Sequence, residues 1–227
     1  MRVLQNAKAK IERYNKTKIF DEKYNKAYHD LLMAREKNIC LVDENGGVSD
    51  SHLSIVERTL IAFEMKAHGQ MDSQFKEKLR NKLENNEIRK FLRLFREFTV
   101  LSPQIWNLKK ETGILFEELA SKEKGLDANG NHFGVGAAKI MNFLFPELFV
   151  IMDSNVRLGL ELSEFSTFKN YWQIMTICHE ELEEWQSEFG TLENIIHLDN
   201  QPTTLPRIFD KCAFVMGLEK RASTSQY

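Results

Sequence analysis

Apolar residues recur at three- and four-residue spacing through almost the whole chain, and that period constrains the fold more tightly than any single motif. Phe20, Tyr24, Ala27, Leu31 and Ala34 form one such stripe, and Leu53, Val56, Leu60 and Phe63 form another. The spacing matches the 3.6-residue turn, so each set lies on one face of a helix and asks to be buried. The pattern predicts helices over 3–15, 20–37, from Asp50 or Ser51 (either able to cap) to a stop at Gly69, 71–84 and 86–100. Ser102 followed by Pro103 then starts a helix reaching Ser121, a cap followed by a first-turn proline. Later helices are predicted over 154–161, 164–189, 191–197 capped by Thr191, and 203–217 with Pro206 in its first turn. Only 39–48 admits a strand, because Asn45-Gly46-Gly47 breaks the helix and suits a short hairpin. The reading is all-α: a compact multi-helix domain over 1–220, with a lobe junction near 122–135 and a flexible tail at 221–227.

Charge and composition narrow the function classes. The 227 residues carry 31 Lys and Arg against 33 Asp and Glu. A net charge of -2 gives no global attraction to nucleic acid, so DNA binding would need a local basic face. Lys76, Lys78, Arg80, Lys82, Arg89, Lys90, Arg93 and Arg96 are the candidates for one. Sixteen Phe point to an aromatic interior. Cys40, Cys178 and Cys212 are far apart and form no CxxC pair, which argues against a zinc ribbon or a disulfide framework. They read as core thiols in a reducing compartment, and with no apolar signal segment the expected location is cytoplasmic. Asp127, Asn129 and Asn131 alternate like calcium ligands, but the twelfth position of such a loop is Ala138 rather than Glu. No cofactor and no metal is called for.

The stretch 132–157 carries the chemistry. Gly134-Val135-Gly136 stands directly before a short apolar helix, and such a turn offers backbone N–H groups to an anion with no Cβ in the way. The apolar run Leu148 to Met152 then ends in Asp153, an acid held in place and partly desolvated. The dinucleotide fingerprint is missing its third glycine and its βαβ frame, and Lys139 is not followed by the Ser or Thr of a P-loop. Helix, Gly-hydrophobic-Gly, helix, apolar run and Asp together resemble the core of the helix-hairpin-helix DNA glycosylase superfamily.

That resemblance implies a duplex DNA partner, a flipped target nucleotide and hydrolytic base excision. Gly134, Val135, Gly136 and Ala137 would offer amides to the DNA backbone, with Asn155 and Arg157 alongside. Asp153 would activate water or stabilise the sugar cation, and Lys139 and Arg157 would support phosphates or a base. The family's lyase lysine stands two residues after the second glycine, where this chain has Ala138. Lys139 is one place late, turned by about 100° on a helix. A glycosylase without lyase chemistry is therefore the expectation. The alternative is a non-catalytic helical module for protein or nucleic acid, in which Asp153 only caps the helix that follows. A small-molecule pocket among the aromatic helices is a third reading. Trp106 and Trp172 suit either base stacking or core packing. The acidic run Glu180 to Glu188 would have to face away from DNA.

Overall fold

The computed structural model describes residues 2–17, 20–65, 67–122 and 125–224. Eleven α-helices are present among them: α1 (Ala7–Lys16), α2 (Lys26–Glu36), α3 (Asp50–Ala62), α4 (Phe75–Leu83), α5 (Asn86–Phe95), α6 (Lys109–Ala120), α7 (Gly134–Leu144), α8 (Ser154–Gly159), α9 (Phe168–Phe189), α10 (Glu193–Ile196) and α11 (Leu205–Thr224). A π-helical turn, Phe20–Asn25, leads into α2, and a 3-10 segment, Pro103–Leu108, leads into α6. The fold is all-α. The hairpin suggested for 39–48 shrinks to one antiparallel bridge, Val42 to Val48. Gly46 makes its turn at φ +78, and a Cβ there would stand 2.0 Å from the Arg89 carbonyl oxygen.

Several boundaries differ from the periodicity, each for a local reason. α3 is capped by Ser49, whose hydroxyl accepts from the His52 amide, rather than by Asp50 or Ser51. It ends at Ala62 instead of Gly69, and Glu64 takes a left-handed φ of 65 just beyond it. α5 ends at Phe95, five residues earlier than the apolar pattern extends, and Val100 instead donates to the Glu147 carbonyl at 2.9 Å. α11 runs to Thr224, so residues 221–224 are helix rather than tail. Lys220 donates to the Gly159 carbonyl and pairs with Glu161, while Arg221 donates to the Ser154 hydroxyl. These bonds hold the last turns against α8. The rest of the expected tail, 225–227, lies outside the described residues.

Buried apolar side chains form one contiguous cluster from Val3 to Val215, continuous across 122–135. At its centre is α7, with ten of its eleven residues buried. The three cysteines are free and buried. No helix among the described residues is long and apolar enough to cross a membrane.

α8 is short and depends on α11. Gly159 lies so close that a Cβ would come 2.1 Å from the Ala213 carbonyl oxygen, and one at Gly217 would come 2.1 Å from that of Asn155. Two glycines, one on each helix, thus bring the backbones into contact. Gly159→Ala or Gly217→Ala should each cost about 1–3 kcal/mol by overpacking this crossing. Thermal unfolding followed by helical circular dichroism checks this, and an unchanged midpoint for both would mean that the crossing is not close.

Candidate functional site

α7 begins at Gly134, so the two glycines form its first turn rather than a hairpin ahead of it. Neither has positive φ. Their role is close packing: a Cβ on Gly134 would lie 2.0 Å from the Ser166 carbonyl oxygen, and one on Gly136 2.1 Å from the Phe133 ring. The segment before α9 therefore crosses directly over the start of α7. A helix leaves its first N–H groups without intrahelical acceptors. The Ala137 amide is already used, donating to the Phe133 carbonyl at 2.8 Å, which removes it from the expected phosphate contacts. The amides of Gly134, Val135 and Gly136 make no backbone hydrogen bond outside the helix among the described residues. Of these three residues only Val135 is partly exposed.

The acid is placed by a different device. Leu148 to Met152 are buried outside any helix, and their backbone is pinned from the side. The Asn142 side-chain amide donates to the Phe149 carbonyl, and the Val150 amide to the Met175 sulfur at 3.4 Å. Asp153 follows as the N-cap of α8, with Oδ1 accepting from the Val156 amide at 2.8 Å. The carboxylate is half-buried, so capping occupies one oxygen without sealing the residue away.

Neither Lys139 nor Arg157 forms an ion pair with this carboxylate among the described residues, and the link to both is the longer reach of its charge. Lys139 is only 7% exposed. Its ammonium approaches the Phe63 carbonyl at 3.5 Å and the Met65 sulfur at 3.3 Å, and sits 5.4 Å from the Phe63 ring centre. Burial pulls its amine down to about 8, and Asp153 pulls the other way. Arg157 is 8% exposed, so it is buried rather than displayed to a surface phosphate. Its Nε and Nη1, with Asn155 Oδ1, are buried atoms without a hydrogen-bond partner. Burial is also the main cause lowering the Arg157 pKa.

Residues outside the motif complete the surroundings. Tyr14, Phe20, Tyr24 and Phe63 stack in sequence with ring centres 4.7, 5.3 and 4.8 Å apart. Arg207 on α11 lies over Tyr14, Tyr28 and Phe63, pairs with Asp210 at 2.5 Å, and donates to the Tyr14 hydroxyl at 2.8 Å. Lys211 pairs with Asp199 at 2.6 Å. Asp210 and the aromatic stack had no local signal, because four separate segments supply them.

The nominated basic stretch splits in two. Lys78 is spent on Asp72, Arg80 on Asp50 and Glu77, and Lys82 on the Glu118 carbonyl. Lys90 and Arg93 on α5, and Arg96 just after it, remain exposed. That helix packs Phe95 on Phe145 and Phe149, at the far end of α7 from its glycines. An eleven-residue helix is about 16 Å long, which separates this face from the start of α7. Trp106 and Trp172 meet edge to face at 5.6 Å, Trp106 also abuts His179, and Trp172 is buried, which is core packing rather than base stacking. Glu184 and Glu188 on α9 bind Arg2, and Glu181 accepts from the Val3 and Leu4 amides. Asp127 accepts from the Asn129 amide at 2.7 Å, an ordinary side-chain turn.

No family model, curated protein or solved structure matches the chain.

The Lys139 amine gives a pH-dependent signature. A lysine whose folded pKa is depressed is penalised in the folded state while charged, fully below about 8, and the penalty disappears as pH rises to the unfolded value of 10.5. Lys139→Met should therefore stabilise the protein most at neutral pH, by up to about 3 kcal/mol, and the gain over wild type should shrink between pH 8 and 10.5. Denaturant titrations of both proteins across that range test it, and a constant difference would place the amine in water.

Proposed function

We propose that this chain is a DNA-interacting protein of helix-hairpin-helix glycosylase type, in which Asp153 serves hydrolytic base excision. The observation that carries the reading is the half-exposed Asp153 carboxylate, fixed by its cap and by the buried run before it, with Lys139 and Arg157 within reach of its charge. Hydrolysis of an N-glycosidic bond needs little else from the protein. Water attacks the sugar carbon and gives its proton to the carboxylate, and the base departs with the bonding electrons. A carboxylate also favours the positive charge that develops on the sugar. The neighbouring cations limit repulsion between Asp153 and an approaching phosphodiester. Of the motif's first-turn amides, that of the partly exposed Val135 is the backbone donor left for a phosphate.

Lys139 is assigned a supporting role. Its amine is enclosed by Phe63 and Met65, so it meets a sugar carbon only if that wall moves. The second reading, a binding module without catalysis, is favoured by one observation: both glycines are explained by packing against Ser166 and Phe133.

Base release from duplexes carrying damaged or modified bases, by wild type and Asp153→Asn, separates the two. Asparagine caps helices as well as aspartate, so the fold should survive. The proposal expects base release to fall about 100-fold or more, with DNA binding retained. Equal activity in the variant would remove Asp153 from the chemistry. Duplex affinity should also weaken steeply between low and moderate salt, and a flat salt response would remove the phosphate contacts.

A further inference from the structure

The ion pair Arg207–Asp210 lies one turn apart on α11, with both side chains almost wholly buried. Such a pair is poor evidence for stability, because desolvation offsets most of its attraction and an apolar replacement often serves as well. This one is also incompletely satisfied: Arg207 Nε and Asp210 Oδ2 have no hydrogen-bond partner. Its surroundings point inward to the site. The guanidinium is 5.5 Å from the centre of the Phe63 ring, and the same ring lies 5.4 Å from the Lys139 ammonium. Tyr14, which accepts from Arg207, begins the stack that ends on Phe63. Further along the same helix, the contacts at Gly159 and Gly217 seat α8, whose cap is Asp153.

We propose that the Arg207–Asp210 pair is the positioning element of the Lys139–Asp153 site, holding the Phe63 ring and, through α11, the start of α8. This rests on the glycosylase reading for its chemical consequence, but not for the physical coupling. The pair touches neither the carboxylate nor any reacting atom as described, so neither member is a catalytic residue. The charged and titratable groups that act on the Lys139 amine are Asp153, Arg207, Glu64 and Asp210. Two segments besides α11, those of Glu64 and Asp153, therefore bear on the same amine. Arg207 disfavours its protonation and Asp210 favours it, with Arg207 the stronger of the two.

The coupling is read in DNA-free protein by carbon-detected titration of lysines labelled at Cε, with the Lys139 signal identified by its loss in Lys139→Arg. Two variants are used. Asp210→Asn removes one charge. The double variant Arg207→Met with Asp210→Leu replaces the pair by apolar side chains and keeps the fold if the asparagine variant does not. Asp210→Asn should lower the Lys139 midpoint, while the double variant should raise it and shift the resonance. In base-release assays both should lose about tenfold or more in kcat with little change in KM. A folded double variant whose Lys139 titration and chemical shift superimpose on wild type would overturn the proposal. So would unchanged kcat in a variant whose Lys139 titration has moved. If wild type releases no base from any substrate while the Lys139 midpoint still moves, the glycosylase reading fails and the physical coupling stands.

Discussion

Burial of α7 organises this protein. Its sequence, Gly-Val-Gly-Ala-Ala-Lys-Ile-Met-Asn-Phe-Leu, leaves almost no polar face, so water is excluded on nearly every side and other helices must surround it. The small residues at its start let neighbouring backbone approach closely. The aromatic residues at its end meet Phe63, Tyr28, Phe95 and Phe149 through Phe143 and Phe145. A helix enclosed in this way fixes what its two polar members can do. Asn142 satisfies a carbonyl of the apolar run that follows. Lys139 keeps an amine in the interior with only a carbonyl oxygen, a thioether and a ring nearby.

The candidate site follows from that enclosure. Loss of hydration lowers the Lys139 amine, and the same low polarity lets the Asp153, Arg207 and Asp210 charges act across it. Burial also pushes the Asp210 carboxyl up to about 7 against the pull of Arg207. Burial likewise works against the charge on Arg207, but Asp210 and the phenols of Tyr14 and Tyr28 outweigh it. The site is thus a set of ionisable groups whose behaviour depends on one another. Asp153 differs from Lys139, Arg207 and Asp210 in being only partly buried.

Much of the framework was legible in the chain. The 3.6-residue period identified the helical class and nearly all of the helices, and Asp153 as a cap followed from an acid placed before Ser-Asn-Val-Arg. The purpose of the glycines was not legible. Gly-Val-Gly before a helix fits a bare anion-binding turn and a close-packed helix start equally well, and only Ser166, thirty residues away, decides between them. Lys139 shows the opposite case. Its offset from the lysine position of the glycosylase superfamily argued that it need not face Asp153, and the amine lies against Phe63 and Met65, which nothing in local spacing foretold. The basic stretch 76–96 was misleading as a single feature, because Lys78, Arg80 and Lys82 are paired, the last two with partners thirty or more residues away in sequence.

What this sequence determined by itself was periodicity, caps and the presence of a carboxylate after an apolar run, because each depends on residues within one or two turns of one another. Which charges share a space was decided only in three dimensions. Asp153, Lys139, Tyr14, Phe63, Arg207 and Asp210 come from five separate segments, and nothing in local spacing carries the distance between them. Desolvation and Coulomb attraction, the two effects that give the site its character, act through space and not along the chain.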